Sequence, residues 1–342
     1  MLYKSILYKV GSISINLGIR MFALKFENNT STVLDNHDLP QQDQPDVFYW
    51  YHFDGDLEDA RQWLKDQLKT DSHSLNALCD ELTRPRVFVN DSDQLLLTLR
   101  SIDYKDENEA EFPSLRVWLS QNVLITLARV TVPAVAVLSE KIQLPDKYAK
   151  TPSYLIWRLV DLISDHISAY IVDLDENISN IEEEWELNQR MDSQTLHNIR
   201  LNISHVGRFL LAQLEALQKL DHEVANINSS QHDKSLYHVR WRETINTLRR
   251  DIELHSSIRE RISLLRDAQQ QRNHETSNRT ILLLSVVATF FLPLTFIASL
   301  LGMNVAGIPA YDHPMAFAVV CIIMAFIALI QWLLFKHWRW LK

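Results

Sequence analysis

Two apolar segments near the C-terminus, Thr280–Leu301 and Met315–Phe335, constrain this chain more than any other feature. Neither holds an Asp, Glu, Lys, Arg or His. Each is long enough to cross roughly 30 Å of hydrocarbon, which takes about 20 apolar residues in a helix. The short loop between them, Gly302–Pro314, opens with Gly302-Met303-Asn304. Two spans joined by a tight turn make a membrane hairpin. The chain therefore reads as an integral membrane protein with a large soluble part.

That soluble part is not membrane-like. Of the 342 residues, 23% are charged, and the length before the hairpin allows one or two domains with real cores. A net charge of −9 excludes nucleic acid as a partner, because neutralising phosphates takes a basic patch. It suits a surface that attracts cations. Two cysteines, Cys79 and Cys321, exclude a disulfide scaffold and a cysteine-based zinc site. Met1–Arg20 lacks the apolar core of a signal peptide. Met21-Phe22-Ala23-Leu24-Lys25-Phe26 reads as a natural first strand, which makes Met21 rather than Met1 the expected start.

Basic residues orient the hairpin. Arg272 and Arg279 precede the first span, and Lys336, Arg339 and Lys342 follow the second, while the connecting loop has none. Retention of basic flanks inside places both termini in the cytoplasm and the loop outside. Trp338 and Trp340 suit an interfacial aromatic belt.

Three regions are expected: an α/β domain over 1–150, long helices over 151–279, and the hairpin over 280–342. Short β-rich runs are predicted as strands at Phe22–Phe26, Val47–Phe53, Arg86–Asn90, Gln94–Ile102, Leu115–Ser120 and Val123–Arg129. Asp56–Leu68 and Ser72–Asp80 carry helical periodicity. From Ser153 to Leu292 there is no proline, and Gly207 is the sole glycine. That texture predicts long helices, with breaks near Asn188–Ser193 and Asn226–Gln231. The third, from Lys234 to Leu292, reads as one rod of roughly 90 Å leading into the first span. Ile245, Leu248 and Ile252, then Ile258, Ile262 and Leu265, form an apolar stripe with a phase shift. So narrow a stripe wants partner helices, and an oligomer is expected.

The histidines show no ligand spacing, and no phosphate loop or nucleophile elbow is present. No enzyme activity and no cofactor are expected. Glu182, Glu183, Glu184 and Glu186 lie in an acidic stretch. It reads as a solvated helix face, with a weak cytoplasmic divalent-cation site as the alternative. In the first span Ser285, Thr289, Leu292, Thr295 and Ser299 fall close to one line, and Asn278 continues it below. Such a stripe suits a pore wall and, equally, a helix-packing face. At the turn, Gly302 allows close backbone approach, and Asn304 offers an uncharged amide oxygen. Rings of neutral oxygens can hold a cation in its hydration shell. Asp312 and His313 read as ordinary loop residues or as cation attractors.

Gly302-Met303-Asn304, directly after a span and before a second C-terminal one, resembles the signature of the CorA superfamily of divalent-cation transporters. The likeness covers essentially everything after residue 20. It implies a homopentamer in the bacterial inner membrane, with the first span of each subunit lining the pore. It also implies that Gly302, Met303 and Asn304 form the selectivity ring. Thr83-Arg84-Pro85-Arg86, Phe291-Leu292-Pro293 with Thr295-Phe296, and Gly307-Ile308-Pro309 are similar to the zinc-transporting ZntB branch. Leu301 stands where magnesium-transporting relatives usually carry Tyr or Phe, and the loop lacks their acidic Met-Pro-Glu-Leu. Met303, by contrast, keeps the magnesium-type middle residue.

The expected function is divalent-cation transport, with Zn2+ first and a Mg2+/Co2+ channel as the alternative. A membrane-anchored cytoplasmic cation sensor is the alternative of a different class. The physics of the spans does not choose zinc, because the first span has no His, Cys or carboxylate to bind it closely.

Overall fold

The computed structural model describes residues 13–14, 20–34, 47–68, 70–80, 84–90, 94–106, 109–120, 122–142, 151–188, 191–224, 231–303 and 314–337. Ten strands and seven helices are described. The strands are β1 (Ile13–Ser14), β2 (Arg20–Glu27), β3 (Thr30–Val33), β4 (Val47–Asp54), β5 (Arg86–Val89), β6 (Leu95–Arg100), β7 (Asp103–Asp106), β8 (Glu109–Glu111), β9 (Ser114–Ser120) and β10 (Val123–Ala128). The helices are α1 (Leu57–Gln67), α2 (Ser72–Cys79), α3 (Pro133–Lys141), α4 (Pro152–Asn188), α5 (Ser193–Val224), α6 (Gln231–Leu301) and α7 (Ala316–His337). The chain divides into two compact units, Met1–Leu264 and Leu265–Lys342.

In the first unit the main sheet runs β1-β2-β4-β10-β9-β6-β5, with β3 on β2. Every neighbouring pair is antiparallel except β4 and β10. Central strands β4 and β10 are buried along their whole length, so helices must cover both faces. On one face Tyr49, Tyr51, Phe53, Trp118 and Ile125 meet Leu57, Ala60 and Leu64 of α1 and Leu75 and Leu78 of α2. Asp56 and Asp71 cap α1 and α2 through Glu58 N and Ser74 N. A side-chain oxygen at this position satisfies an orphan N–H of the first turn.

Helix α5 packs on β5 and β6, and α4 packs on both α3 and α5. Gln213, buried on α5, ties this layer to the sheet. It accepts from the Arg100 N–H at 2.8 Å and donates to the Arg100 carbonyl at 3.2 Å. Residues on either side of position 150 thus share one unit, because α4 and α5 form part of the soluble core.

Several elements were not expected. Asn28 and Asn29 both have positive φ and turn β2 into β3, the pattern of a primed hairpin turn for which Asn is a favoured residue. Strands β1, β7 and β8 and helix α3 were likewise missed. Helix α4 ends at Asn188 and α5 begins at Ser193, α5 ends at Val224 and α6 begins at Gln231, and α6 continues through Pro293 to Leu301; most of the second expected break, Asn226–Gln231, lies outside the described residues.

The stripe on α6 has no phase shift. Trp241, Thr244, Leu248, Asp251, His255, Ile258 and Ile262 are all buried, in the alternating three- and four-residue steps of a heptad seam. Ile252 lies off this seam, half-buried. Apolar residues alone suggested a shift because Thr244, Asp251 and His255 occupy inward positions. Partners on α4 satisfy two of them: Thr244 donates to Asp161 at 3.3 Å, and Ser168 donates to Asp251 at 2.7 Å. Both pairs are separated by 83 residues, so α4 runs parallel to this part of α6. Burial pushes the Asp161 and Asp251 carboxyls up.

Gly207 is explained on the other side of the seam. A Cβ there would lie 2.6 Å from His255 Nε2, and that nitrogen donates to the Ile203 carbonyl at 2.9 Å. Gly207→Ala must displace a buried ring, so thermal melting of the full chain in detergent is expected to show a loss of about 1–3 kcal/mol.

His52 sits in the sheet core with its Nδ1 2.9 Å from Thr126 Oγ1, which also accepts from Trp50 Nε1 at 2.9 Å. Burial lowers its pKa from 6.5 to about 4, against the opposing pull of Asp54. The folded state holds it neutral, while the unfolded chain binds a proton below pH 6.5. Its stabilisation is therefore full above pH 6.5 and declines as pH falls toward 4, by up to about 3 kcal/mol. Melting curves at pH 5 and 7.5 should show this loss, and His52→Leu should flatten it.

Candidate functional site in the membrane hairpin

No residue from Thr280 to Leu301 or from Ala316 to His337 is buried in the single chain. Leu292 is 69% exposed and Phe317 81%. Helices with apolar side chains on every side suit lipid or further helices, not water.

The two spans meet along one face. Val286, Phe290, Pro293, Leu294 and Ile297 of α6 are half-buried, as are Val320, Met324, Ile327, Ala328, Gln331 and Phe335 of α7. Phe290 and Phe335 stack with ring centroids 6.4 Å apart. The expected stripe, Ser285, Thr289, Leu292, Thr295 and Ser299, is exposed in the single chain, as is Asn278. At 100° per residue the centre of the stripe lies well over 90° from the packed face. The hairpin partner therefore leaves that line uncovered.

Thr289 Oγ1 donates back to the Ser285 carbonyl at 2.8 Å. This spends the hydroxyl proton inside the helix and leaves oxygen lone pairs to face outward. The helix ends where Gly302 N donates to Ala298 O at 2.9 Å. A Cβ at Gly302 would stand 3.0 Å from that same carbonyl, tighter than ordinary contact. Met303 follows, 50% exposed. Asn304, Asp312 and His313 lie outside the described residues, as do Thr83, Gly307-Ile308-Pro309, Arg339, Lys342, Trp338 and Trp340.

In the second span, Gln331 points into the hairpin, and its Nε2 donates to the Thr289 carbonyl at 3.2 Å. Cys321 is exposed.

In the soluble unit the acidic stretch is divided. Arg261 of α6 holds Glu182, with Nε 2.9 Å from Oε1, and also Asp175, at 2.6 Å. Glu183, Glu184 and Glu186 are exposed. Hydrogen bonds that Arg261 donates to the Glu182 carboxylate, then the charges of Glu182 and Asp175, raise the Arg261 pKa further against the lowering effect of burial. Among the described residues no three His, Cys, Asp or Glu side chains stand close enough to share a metal ion. Arg86 lies 3.5 Å from Asp80, and Arg84 is exposed.

An α/β unit, a heptad-seamed helix bundle and a C-terminal two-span hairpin define a class of membrane protein rather than an activity. The chain belongs to the CorA family: the family described as CorA-like Mg2+ transporter protein matches residues 45–337. It is 32% identical over 300 residues to the divalent cation transporter CmaX of Pseudomonas aeruginosa, covering 87% of this chain and 89% of that one. It is 27% identical over 294 residues to the zinc transport protein ZntB of Vibrio parahaemolyticus, covering 84% and 88%. The solved structure of full-length CmaX superposes with a TM-score of 0.76 at 28% identity, covering 96% of this chain and 99% of that one. The chain is thus a divalent-cation transporter of the CorA/ZntB type rather than an enzyme.

Arg261→Gln removes a guanidinium that serves two carboxylates and the Ser179 hydroxyl. Thermal melting should fall by an amount equivalent to about 1 kcal/mol, with the deficit shrinking in high salt.

Proposed function

We propose that the chain transports Zn2+ through a homopentameric pore lined by the first span of each subunit. The observation carrying this reading is the uncovered oxygen-bearing line from Ser285 to Ser299, which ends at Gly302. Copies of this face arranged around an axis would enclose a path whose walls present weak, neutral oxygens. Asn304 completes the path with an amide oxygen, and Asp312 and His313 raise the local cation concentration at the loop. Both termini lie in the cytoplasm of an inner-membrane protein, as the basic flanks favour.

A wall without His, Cys or carboxylate does not strip a divalent ion of its water. The cation passes hydrated, and the zinc assignment leans on the ZntB likeness, on Leu301 and on the loop. The same donor set favours Mg2+ as the second reading, because hard, hydrated ions suit neutral oxygens.

Proteoliposomes loaded with zinc- or magnesium-sensitive dyes separate the two. Zinc influx that magnesium fails to block is expected, and magnesium flux without zinc flux would establish the second reading. Asn304→Ala should lower flux at least about tenfold, equivalent to 1.4 kcal/mol in the barrier. Undiminished flux would overturn the ring, and absence of any cation flux would overturn the pore.

A further inference from the structure

Pro293 lies inside α6. Proline has no N–H, so the carbonyl four residues earlier loses its helical donor. That carbonyl belongs to Thr289, and it is the group that Gln331 Nε2 reaches at 3.2 Å from the other span. In hydrocarbon no water is available to replace the missing donor, and an unsatisfied backbone carbonyl is costly. The orientation of the amide follows from chemistry, because a carbonyl only accepts and must face the NH2 end. Gln331 Oε1 is buried without a partner among the described residues. The bond to Thr289 is therefore what holds an amide in this apolar setting.

We infer that Gln331 is a positioning residue for transport: it supplies the hydrogen bond that Pro293 withholds and so fixes the outer half of the first span. Beyond Pro293 that half carries Thr295, Ser299 and Gly302. Nothing else in the second span offers an amide, and Phe335, four residues on, stacks with Phe290, which locks the same register. The inference rests on the reading that the first span lines the path, and it assigns the hairpin contact a role in aligning that path.

A two-residue cycle tests it, with zinc or magnesium flux measured in proteoliposomes of the full chain. Gln331→Met keeps the shape and removes the donor, and should lower flux on the order of three- to fifteenfold. Pro293→Ala returns an N–H to the Thr289 carbonyl. In that background Gln331→Met should change flux by less than about twofold. Equal losses in both backgrounds, or no loss in either, would overturn the role.

Should the Pro293→Ala chain fail to assemble, Gln331→Glu gives an independent readout. A protonated carboxyl donates to the Thr289 carbonyl and an ionised one does not. Flux relative to the unsubstituted chain should fall as pH rises for Gln331→Glu and stay level for Gln331→Met. A level profile for both would overturn the role. Failure of the pore reading shows separately, as flux insensitive to Ser299→Ala and Asn304→Ala, which leave the Gln331 bond untouched.

Discussion

A backbone carbonyl in hydrocarbon must find its donor within the protein, and this requirement organises the hairpin. The apolar surface of the first span could pack on the second at many registers with little difference in energy, because lipid tails compete equally well for it. Polar groups remove that degeneracy. Pro293 opens one vacancy, at the Thr289 carbonyl, and Gln331 fills it from a single axial position. The stacked Phe290 and Phe335 rings then follow as consequences of that register. The Thr289 hydroxyl is occupied within its own helix, donating to the Ser285 carbonyl. A single proline thus makes a two-helix contact specific.

The same economy recurs in the soluble unit, where the seam between α4 and α6 is studded with polar residues. Thr244, Asp251 and His255 take positions that leucine would fill with greater transfer free energy. Thr244 and Asp251 are instead matched to Asp161 and Ser168 of α4, and the shared separation of 83 residues shows that these two matches keep one parallel register; His255 is matched to the Ile203 carbonyl of α5. Burial raises the Asp251 carboxyl and lowers the His255 imidazole, so both carry an energetic cost. Misregistered packing would leave these groups without partners, at about 1–3 kcal/mol each. Gly207 fits this arrangement, since only a residue without Cβ admits the His255 ring beside α5.

Much of this was legible in the residues, and the omissions have physical causes. The strands from Val47, Arg86, Gln94, Leu115 and Val123 were readable because β-branched and aromatic runs are bounded by turn residues. The long helices followed from the absence of proline and the single glycine. The short edge strand β1 and the β7–β8 pair carry little pattern of their own and depend on neighbours. Asn28-Asn29 is a hairpin signal that the sequence carries openly, since asparagine tolerates the positive φ both residues adopt. The heptad seam on α6 was hidden by scoring apolar residues alone, since the residues completing it are Thr244, Asp251 and His255. In the hairpin, the line from Ser285 to Ser299 was visible from helical spacing. Gln331 was not, because its importance depends on Thr289, a residue 42 positions away. Proline four residues after Thr289, with one amide in the opposite span, was the available clue. Glu182 was grouped with its acidic neighbours because sequence cannot show that Arg261 claims it.

Ion choice follows a different logic from fold. On the proposed reading the path contacts its cargo through water and through uncharged oxygens. Such donors discriminate among divalent ions by hydrated size and by how readily the shell deforms, not by ligand softness. Mg2+ holds its water in a rigid octahedron, whereas Zn2+ accepts lower coordination and exchanges more readily between geometries. A ring tolerant of distortion therefore favours zinc, and a rigid ring matched to one octahedral shell favours magnesium. The rigidity of the outer half of the first span becomes the selective variable. On the role inferred for Gln331, that rigidity depends on what satisfies the Thr289 carbonyl, so the bond that sets the hairpin register would also bear on which cation such a ring prefers.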